Sequence, residues 1–327
     1  MKICAIVPTY NRKKLLAGCL EALLKQTRPL DEVLVVDNGS NDGTAEMVEQ
    51  RFGARVSTLR LSENTGSAGG FYEGMRWAWE RGHDWIWCMD NDAAPAEDCL
   101  QNLLDAPCPP EVPIVARLCA RRDPETGKPY AEAGMLDIPH HTQWNLCGKD
   151  WSHWDGRVLP VDVAPWGGLL VEARAARGTN GHWRDLFTWF DDYVFSYELR
   201  KTGRILFVAD AQMTHPPHRT RSPLELKHGE RLVAQQFWKA YYDFRNAFGW
   251  ERLEFGAWNT WRRYLLRYLR YLVGILLFDD FKMYRMGIRT RAMMDIALGR
   301  WGQRVHPGEF ERRYGSRADS RPSASAG

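Results

Sequence analysis

The amino-acid sequence predicts an α/β protein with a mostly parallel central sheet, helices on both faces of that sheet and a helical segment after it. In the first hundred residues, short apolar runs alternate with segments whose apolar residues recur every three or four positions. From about residue 224 the pattern becomes helical throughout. Alternating strands and helices favour parallel strands, because each helix returns the chain to the same end of the sheet.

Four apolar runs in this alternating part are predicted as buried strands, and the segments between them as helices. The strands are Ile3–Val7, Val33–Val36, Val56–Leu61 and Trp85–Met89. The helices contain Leu15 to Leu24, Thr44 to about Arg51, and a segment opened by Gly69-Gly70. Ligands of such sheets bind beyond the carboxyl ends of the strands. The polar clusters Thr9–Asn11, Asp37–Asp42 and Asp90–Asp92 all follow strands, so we expect them to share one edge.

The second half of the chain gives weaker signals. Residues 105–160 are predicted to be irregular, with several prolines and no clear period. Short strands are predicted at Val161–Val163 and Ile205–Val208, and a partly helical segment at residues 183–200. No internal repeat is visible, and residues 316–327 are predicted to be disordered because they are polar and rich in Ser and Ala.

Composition indicates a folded protein and excludes a disulfide framework. Of 327 residues, 44% are hydrophobic and 26% are charged. The seven cysteines are odd in number and show no CxxC spacing, which indicates reduced thiols and no structural zinc site. Met1-Lys2 leads directly into a short apolar run, so no secretory signal is expected and a cytoplasmic location is predicted.

Charge is distributed unevenly along the chain. Residues from Arg262 onward contain 14 Lys and Arg against 6 Asp and Glu, a local net charge of +8 that leaves −5 on the preceding residues. A basic C-terminal part indicates an anionic partner surface, either a membrane or a nucleic acid. Because the basic residues are confined to this part and no recognition motif appears, nucleic acid is the weaker expectation.

Asp90-Asn91-Asp92 is the first candidate for chemistry. Two carboxylates one residue apart at a strand end can reach a single hard cation, Mg²⁺ or Mn²⁺, beside a diphosphate. The alternative is the N-cap of a helix that starts near Glu97. The tripeptide alone does not decide between these two readings.

Three motifs in order resemble those of family 2 glycosyltransferases, enzymes of the Rossmann-like GT-A fold. They are Val7-Pro8-Thr9-Tyr10-Asn11-Arg12, the run Val35 to Thr44, and Met89-Asp90-Asn91-Asp92. The resemblance covers roughly residues 1–220. It implies a catalytic domain at 1–222, with a nucleotide-sugar-binding half (1–104) and an acceptor half (105–222), a helical region at 223–315 and a tail at 316–327. It also implies a nucleotide-diphosphate sugar donor and a divalent cation.

The resemblance assigns donor-binding roles at the strand ends. Thr9 and Asp37 would hold the base and ribose, since a carboxylate accepts hydrogen bonds from base N–H or ribose hydroxyl groups. Asn38, Ser40 and Asp42 are instead expected to shape the turn, because Asx and Ser side chains cap backbone groups there. The further donor contacts implied by the family are Pro8, Asn11, Asp90 and Asn91.

A glycine-rich segment, Glu63 to Phe71, lies between these motifs. Its glycines let the backbone approach a ligand, and the following helix presents free N–H groups to an anion. The alternative is a loop that only caps the helix. The segment is similar to the galactofuranosyltransferase and rhamnosyltransferase branches, which implies Asn64, Gly66 and Gly69 beside the nucleotide. UDP-galactofuranose is the first expected donor and dTDP-rhamnose the second.

Asp191-Asp192 is similar to the acidic base motif of the family. Transfer to a sugar hydroxyl needs a base that accepts its proton. The match implies Asp192 as the base and Asp191 as an orienting group, with a solvated helix start as the alternative. The family often has Glu and Arg where this chain has Val194 and Glu198, which leaves the acceptor contacts undefined.

Other candidates follow from the family pattern. His215 follows the last predicted strand, where some relatives place a metal-binding histidine, so the expected metal ligands are Asp90, Asp92 and His215. An ordinary loop histidine is the alternative, as it is for His218, while the pair His140-His141 is predicted at the surface. Trp166 and Gly167 match the acceptor-side loop, where Trp166 either stacks on a sugar or is a buried structural residue.

A C-terminal amphipathic helix is predicted with leucines along one face and Arg263, Arg267 and Arg270 beside it. Its longest apolar run, Tyr271–Phe278, is too short to cross a bilayer. Packing on the catalytic domain and lying on an anionic membrane both fit this pattern. The Gln-x-x-Arg-Trp motif of processive synthases is absent, so a single addition to a cell-surface or lipid-linked glycan is favoured. Oligomeric state stays open, and a non-catalytic nucleotide- or glycan-binding protein is the alternative function.

Overall fold

The computed structural model describes residues 1–108, 111–130, 134–137, 142–145, 158–216 and 234–315. The chain forms two compact units. The first contains Met1–Asp185 and Asp191–His218, and the second contains Leu186–Phe190 and Arg219–Gly327. The predicted tail at 316–327 lies outside the described residues.

The first unit alternates strands and helices as the sequence predicts. Its strands are β1 (Ile3–Thr9), β2 (Glu32–Asp37), β3 (Ser57–Arg60), β4 (Trp85–Cys88), β5 (Ala94–Pro95), β6 (Ile114–Arg122), β7 (Pro129–Tyr130), β8 (Gly134–Asp137), β9 (Thr142–Asn145), β10 (Val158–Val161), β11 (Leu169–Glu172) and β12 (Arg204–Thr214). Its helices are α1 (Lys13–Leu24), α2 (Thr44–Phe52), α3 (Gly66–Glu80), α4 (Cys99–Asp105), α5 (Ala173–Arg177) and α6 (Asp191–Leu199).

The central sheet has the strand order β10-β12-β6-β11-β4-β1-β2-β3, with β5 on β12 and β7 on β6. The pairs β3-β2, β2-β1 and β1-β4 are parallel, and so is β6-β12. Strand β11 is antiparallel to both β4 and β6, and β10 is antiparallel to β12. The predicted mostly parallel sheet is confirmed, with β11 as an antiparallel insertion that periodicity did not reveal.

The expectation that residues 105–160 are irregular is wrong at β6. This strand has nine residues and lies in the middle of the sheet, between β12 and β11. It is buried along most of its length, so its sequence shows neither the two-residue nor the helical period that a half-exposed element shows. Strand β10 ends at Val161, where the predicted strand began, and β12 extends six residues beyond the predicted Val208.

The main apolar core of the first unit lies between one face of the sheet and helices α1, α2 and α4. Val7, Leu20, Val35 and Leu100 represent these elements in one buried cluster. Helix α3 packs on the opposite face, where a Cβ at Gly74 would lie 3.0 Å from Val36 and 3.2 Å from Ile6. Alternate strand residues point to opposite faces of the sheet, and helices cover both faces. The ends of the strands are therefore the part of the sheet that a ligand can reach.

The second unit is built from helices α7 (Trp238–Phe255), α8 (Ala257–Phe278), α9 (Lys282–Ala297) and α10 (Glu309–Tyr314). Its core is rich in aromatic rings, among them Tyr241, Phe244 and Phe248. The short segment Leu186–Phe190 belongs to this unit, and Phe187 is part of the same core. Within the described residues, no helix is both long enough and apolar enough for a membrane span.

Candidate functional site

The predicted polar clusters meet at the carboxyl ends of β1, β2 and β4. Thr9 lies directly opposite Asp37 in the parallel register of β1 and β2. The Asn91 side chain donates hydrogen bonds to the Pro8 carbonyl (3.2 Å) and to Thr9 Oγ1 (3.4 Å). Three segments that are far apart in sequence are therefore joined at one edge of the sheet, as their positions after parallel strands predicted.

Asp37 is completely buried at the end of β2. Its Oδ1 accepts a hydrogen bond from the Ser40 backbone N–H (2.8 Å), which closes the turn. Its Oδ2 is buried and has no hydrogen-bond partner among the described residues, although Arg60 Nε lies 3.8 Å away. A buried carboxylate oxygen without a donor is costly, so this atom is an acceptor available to a ligand hydroxyl or N–H group.

Asn38, in the turn after β2, connects this turn to the glycine-rich segment. Its Oδ1 accepts hydrogen bonds from Thr65 Oγ1 (2.8 Å) and the Thr65 backbone N–H (3.3 Å), and its Nδ2 donates to the Gly66 carbonyl. The sequence assigned Asn38 only to its own turn. Nothing in the local pattern shows this long-range contact, because it depends on how β2 and α3 pack together.

The neighbouring turn residues act as the sequence predicted. Ser40 Oγ accepts the Asn11 backbone N–H (3.0 Å), and Asn11 Oδ1 accepts the Asn41 backbone N–H (2.8 Å). Asp42 accepts hydrogen bonds from the backbone N–H groups of Thr44 and Lys13. Desolvation acts to raise the pKa of Asp42, but the hydrogen bonds that it accepts leave this pKa below its usual value. The visible contacts of Asn11 are thus with the turn.

Helix α3 starts at Gly66, three residues before the predicted start. Asn64 Oδ1 accepts the Gly66 backbone N–H (2.9 Å) and orders the approach to the helix. A Cβ at Gly70 would lie 2.7 Å from Asn38 Nδ2 and 2.9 Å from Pro8 Cβ. Close packing against the β1 and β2 ends therefore requires glycine at this position.

Asp90, Asp92 and His215 come together, although His215 is more than 120 residues away in sequence. His215 Nε2 lies 3.3 Å from Asp90 Oδ2 and 3.3 Å from Asp92 Oδ1. The histidine is buried, and its backbone N–H donates to the Arg122 carbonyl (3.0 Å). Although burial opposes protonation, the hydrogen bonds to the two carboxylates raise the pKa of His215 to about 9.

Two arginines flank this carboxylate-imidazole cluster, which we define as Asp90, Asp92 and His215. Arg12 Nη1 is 3.2 Å from Asp92 Oδ2, and Arg121 Nη2 is 3.8 Å from Asp90 Oδ2. Burial acts to raise the pKa of Asp92, but the hydrogen bond from His215 leaves it below its usual value. The donor set of two carboxylates and an imidazole fits Mn²⁺ or Mg²⁺ chemically. However, the described part of the chain contains no group of three or more His, Cys, Asp or Glu side chains whose present positions could hold a metal ion.

Gly167 forms the opposite wall of this cluster. A Cβ at this position would lie 2.2 Å from Asp90 Oδ2, so only glycine allows the backbone so close to the carboxylate. Arg121 Nη2 donates to the Gly167 carbonyl (2.7 Å). Arg121 is buried in β6 and was not found from the sequence, because the strand itself was not predicted.

Asp191 and Asp192 form the first turn of α6. Asp191 is buried, and its Oδ2 accepts hydrogen bonds from Trp166 Nε1 (2.8 Å) and from Ser67 Oγ (3.0 Å). Burial, only partly offset by these hydrogen bonds, raises the pKa of Asp191 to about 6. Asp192 is partly exposed, and its Oδ1 accepts the Tyr193 backbone N–H (2.8 Å). The two neighbouring carboxylates therefore have different environments.

The sugar-stacking role considered for Trp166 does not agree with its position. Its ring is buried and stacks on Phe71 at a centroid distance of 4.6 Å, with Trp183 and Phe195 on other sides. An acceptor or donor sugar would have to displace these rings. Trp166 is instead a structural residue whose indole N–H holds Asp191, which is the alternative that the sequence left open.

Several other predictions can be placed. All six described cysteines are free thiols, and five of them are buried, as expected. Glu198, where the family often has Arg, accepts the Asn180 backbone N–H (2.9 Å), and burial raises its pKa. Cys147, the pair His140-His141 and His218 lie outside the described residues.

Comparison with known proteins agrees with this geometry. Residues 4–162 match the family model described as glycosyl transferase family 2. The galactofuranosyltransferase GlfT1 of Mycolicibacterium smegmatis is 39% identical over 104 residues, which are 31% of this chain and 33% of that protein. The undecaprenyl-phosphate mannosyltransferase of Micrococcus luteus is 35% identical over 108 residues, 32% of this chain and 44% of that protein. The matches thus span less than half the length of these curated relatives.

A solved structure supports the fold. The crystal structure of GalNAc-T7 with UDP, GalNAc and Mn²⁺ aligns with a TM-score of 0.50 at 16% identity, covering 76% of this chain and 51% of the other. At this identity the likeness shows the architecture alone. Together with the sheet, its strand-end motifs and the family match, it supports the GT-A fold that the motifs implied. Residues 4–162, just under half of this chain, match the model of glycosyl transferase family 2.

Proposed function

We propose that the protein transfers a sugar from a nucleotide-diphosphate donor to a hydroxyl group of a glycan acceptor, with inversion at the anomeric carbon and with a divalent cation. One observation carries the proposal. Ser67 in the glycine-rich segment donates to Asp191 at 3.0 Å, across 124 residues of sequence. This bond brings the donor-side loop and the acidic pair together, which a base acting beside a bound donor requires.

The donor site is proposed at the carboxyl ends of β1 and β2. Asp37 Oδ2 is an acceptor for the base or ribose, provided that the Arg60 side chain moves aside. Thr9 lies opposite Asp37, and Pro8, Asn11 and Asn91 surround the same edge. The segment that contains Asn64, Gly66 and Gly69 leads into the N-terminus of α3, and the backbone N–H groups in the first turn of a helix suit a diphosphate.

The carboxylate-imidazole cluster is the proposed metal site. Asp90, Asp92 and His215 would hold Mn²⁺ or Mg²⁺ once His215 has lost its proton, because a metal ligand must be neutral imidazole. The bound ion would neutralise charge on the leaving diphosphate. Arg12 and Arg121 already stabilise negative charge at these carboxylates, and the Gly167 backbone leaves the room that they need.

Asp192 is the proposed base. As the acceptor oxygen forms its bond to the anomeric carbon, its proton passes to Asp192, while the bond from that carbon to the diphosphate oxygen breaks. Attack from the side opposite the diphosphate inverts the anomeric centre. The buried Asp191, held by Ser67 and Trp166, orients the start of α6 and thereby Asp192.

Galactofuranose from UDP-galactofuranose is the proposed sugar, and rhamnose from dTDP-rhamnose is the second choice. The first is supported by the resemblance at Ser67 to Phe71 and by the GlfT1 match of 39% identity. The mannosyltransferase match adds GDP-mannose as a third donor to test. The acceptor is proposed to be a cell-surface or lipid-linked glycan, and the site of action the cytoplasmic side of the membrane.

Replacing the base tests the mechanism. In Asp192→Asn the amide cannot accept the proton, so we expect transfer to fall about a thousandfold while donor affinity is unchanged. Asp185→Asn removes an exposed carboxylate a few residues earlier and is the matched control. Transfer would be followed with UDP-galactofuranose, Mn²⁺ and a lipid-linked acceptor, and donor affinity by calorimetry. Near-normal turnover of Asp192→Asn would refute the role of this residue.

The alternative is a non-catalytic binding protein on the same fold. A panel of UDP-galactofuranose, dTDP-rhamnose and GDP-mannose, scored by thermal shift with and without Mn²⁺, identifies the donor that binds. Release of free sugar or its transfer, measured with that same donor, separates the two functions. Stabilisation by a donor without any turnover across acceptors would favour the binding protein.

A further inference from the structure

Helix α8 (Ala257–Phe278) presents two different faces. Its inner face contributes Tyr264 and Ile275 to the core of the second unit, with Tyr268 and Tyr271 packed against that core. Tyr268 Oη also shares a hydrogen bond of 2.7 Å with Thr290 in α9. The helix is therefore fixed to its own unit by tyrosines rather than by its leucines.

The leucine side of α8 is exposed. Seven large apolar side chains on it have exposures between 48% and 82%, with Trp258 the most exposed. At about 100° per residue they occupy roughly 120° of the helix circumference and extend over about 28 Å of its length. We name this set the α8 stripe: Trp258, Leu265, Leu266, Leu269, Val273, Leu276 and Leu277.

A stripe of this kind is unusual for a surface in contact with water only. Apolar residues scattered singly over a surface need no explanation, but a contiguous patch marks an interaction site. The sequence left open whether these leucines pack on the protein or face outward. Their exposure excludes burial against the described residues of the second unit as the reason for their periodicity.

The charged side chains of α8 itself are all positive. Residues 257–278 contain four arginines and no acidic residue. Arg263 is paired with Glu251, but Arg262 and Arg270 are exposed and form no ion pair with any described residue. On the helix circumference Arg262 falls within the stripe and Arg270 at its border.

We propose that the α8 stripe is a docking surface for an anionic lipid membrane, with the helix lying in the plane of the interface. Leucines on one side, arginines at the border and a tryptophan at one end are the composition of an interfacial helix. An arginine inside an apolar stripe can extend to a lipid phosphate, because its long side chain keeps the charged end in the polar layer.

A second copy of the chain fits the α8 stripe less well. In a two-fold contact between two α8 helices, Arg262 of each copy would lie against the apolar residues of the other. No residue of α8 could neutralise it, and burying an unpaired guanidinium is costly. A phospholipid surface supplies both the apolar layer and the negative charge.

Vesicle flotation with the full chain tests the proposal independently of the enzymatic activity. We expect binding to vesicles of phosphatidylcholine with phosphatidylglycerol and little binding to phosphatidylcholine alone. The double variant Leu269→Glu/Leu276→Glu should bind at least tenfold less, by an order-of-magnitude estimate, because it places two charges in the apolar layer. Leu15→Glu, an equally exposed leucine in the first unit, is the matched control and should bind normally.

A second variant separates charge from apolar contact and does not depend on the first. Arg262→Gln/Arg270→Gln should lose about tenfold in affinity for the anionic vesicles, and added salt should weaken the native protein in the same way. Circular dichroism and melting temperature of both variants should match those of the native chain. Failure of the native chain to bind anionic vesicles, or equal loss in Leu15→Glu, overturns the proposal. So does a dimer, seen by sedimentation velocity, that Leu269→Glu/Leu276→Glu abolishes.

Discussion

The two units of this chain differ in how their buried charges are compensated. The first buries carboxylates at the edge of its sheet, Asp37 and Asp191, with exposures of 0% and 2%. The second buries guanidinium groups inside its helical core, Arg245, Arg285 and Arg289. A buried ion must be compensated by hydrogen bonds or by opposite charge. The two units differ in the groups that provide this compensation.

The guanidinium groups are compensated from within the fold. Arg245 donates to the carbonyls of Gly302 (2.8 Å) and Leu186 (2.9 Å) and to Asn246 Oδ1 (2.9 Å), and the rings of Tyr241 and Tyr242 lie beside it. Backbone carbonyls are always available as acceptors, so a buried arginine can be completed by its own chain. Its charge is therefore structural.

The carboxylates are only partly compensated. Asp37 Oδ2 has no donor among the described residues, and Asp191 keeps a raised pKa in spite of two hydrogen bonds. The first unit also contains a buried cation, Arg121. Its guanidinium group lies beside the Asp90 carboxylate. The fold alone therefore leaves the buried carboxylates of the first unit incompletely compensated, as the proposed ligand-binding role requires, while Arg245 in the second unit is compensated by the fold itself.

The largest expected effect on stability is at the buried cation. Arg245→Met removes three hydrogen bonds from a charged donor inside the core, so we expect a loss of about 4 kcal/mol in the free energy of unfolding. Chemical denaturation measures this loss. Arg312→Met, on an exposed turn of α10, is the control and should change stability by less than about 0.5 kcal/mol. A tolerated Arg245→Met would remove the distinction between the two units.

Replacing Asp191 should stabilise the protein at high pH, whereas replacing Arg245 should destabilise it. The pKa of Asp191 in the folded protein, about 6, is above the ordinary value of 3.8, so its contribution to stability is complete below about pH 4 and is lost as the pH rises through 6. Asp191→Asn keeps an oxygen that accepts from Trp166 and Ser67 but carries no charge. We expect the variant to be more stable than the native chain by about 2 kcal/mol at pH 8 and nearly equal to it below about pH 4.

Thermal unfolding of Asp191→Asn and the native chain over this pH range measures the difference. Asp185→Asn again serves as the control, since the carboxylate that it removes is exposed. A variant that is destabilised at pH 8 would mean that the ionised Asp191 is needed for folding, as Arg245 is.

How far the sequence predicts this molecule differs between its parts. Strands β1 to β4 and helices α1 to α3 were predicted to within about three residues, because the strands are short apolar runs and the helices keep an apolar period of three to four residues. The polar strand ends were placed together for the same reason. Strand β6 and its Arg121 were missed, since arginines interrupt its apolar run and arginine is usually exposed.

Other features depend on packing and could not be read from a local pattern. The bonds from Asn38 to Thr65 and Gly66 require β2 and α3 to meet. The periodicity of α8 predicted an apolar face but not its direction, and the tyrosines rather than the leucines face the core. Tyrosine hydroxyl groups find partners there, as Tyr264 does on Glu251 (2.6 Å), which makes them suitable interior residues.

The smallest expected effect on stability is at Asp37. This variant distinguishes most clearly between a buried charge that binds a ligand and one that stabilises the fold. Asp37→Asn keeps an oxygen for the Ser40 N–H and places an amide where the carboxylate oxygen had no donor, so stability should change by less than about 1 kcal/mol. Donor affinity should nevertheless fall about tenfold, because an N–H group cannot accept from a ribose hydroxyl or a base N–H. Calorimetric titration with the donor found in the panel, beside denaturation of the same variant, measures both quantities. A large loss of stability with unchanged affinity would make Asp37 a structural charge, and the first unit would then use its buried ions as the second does.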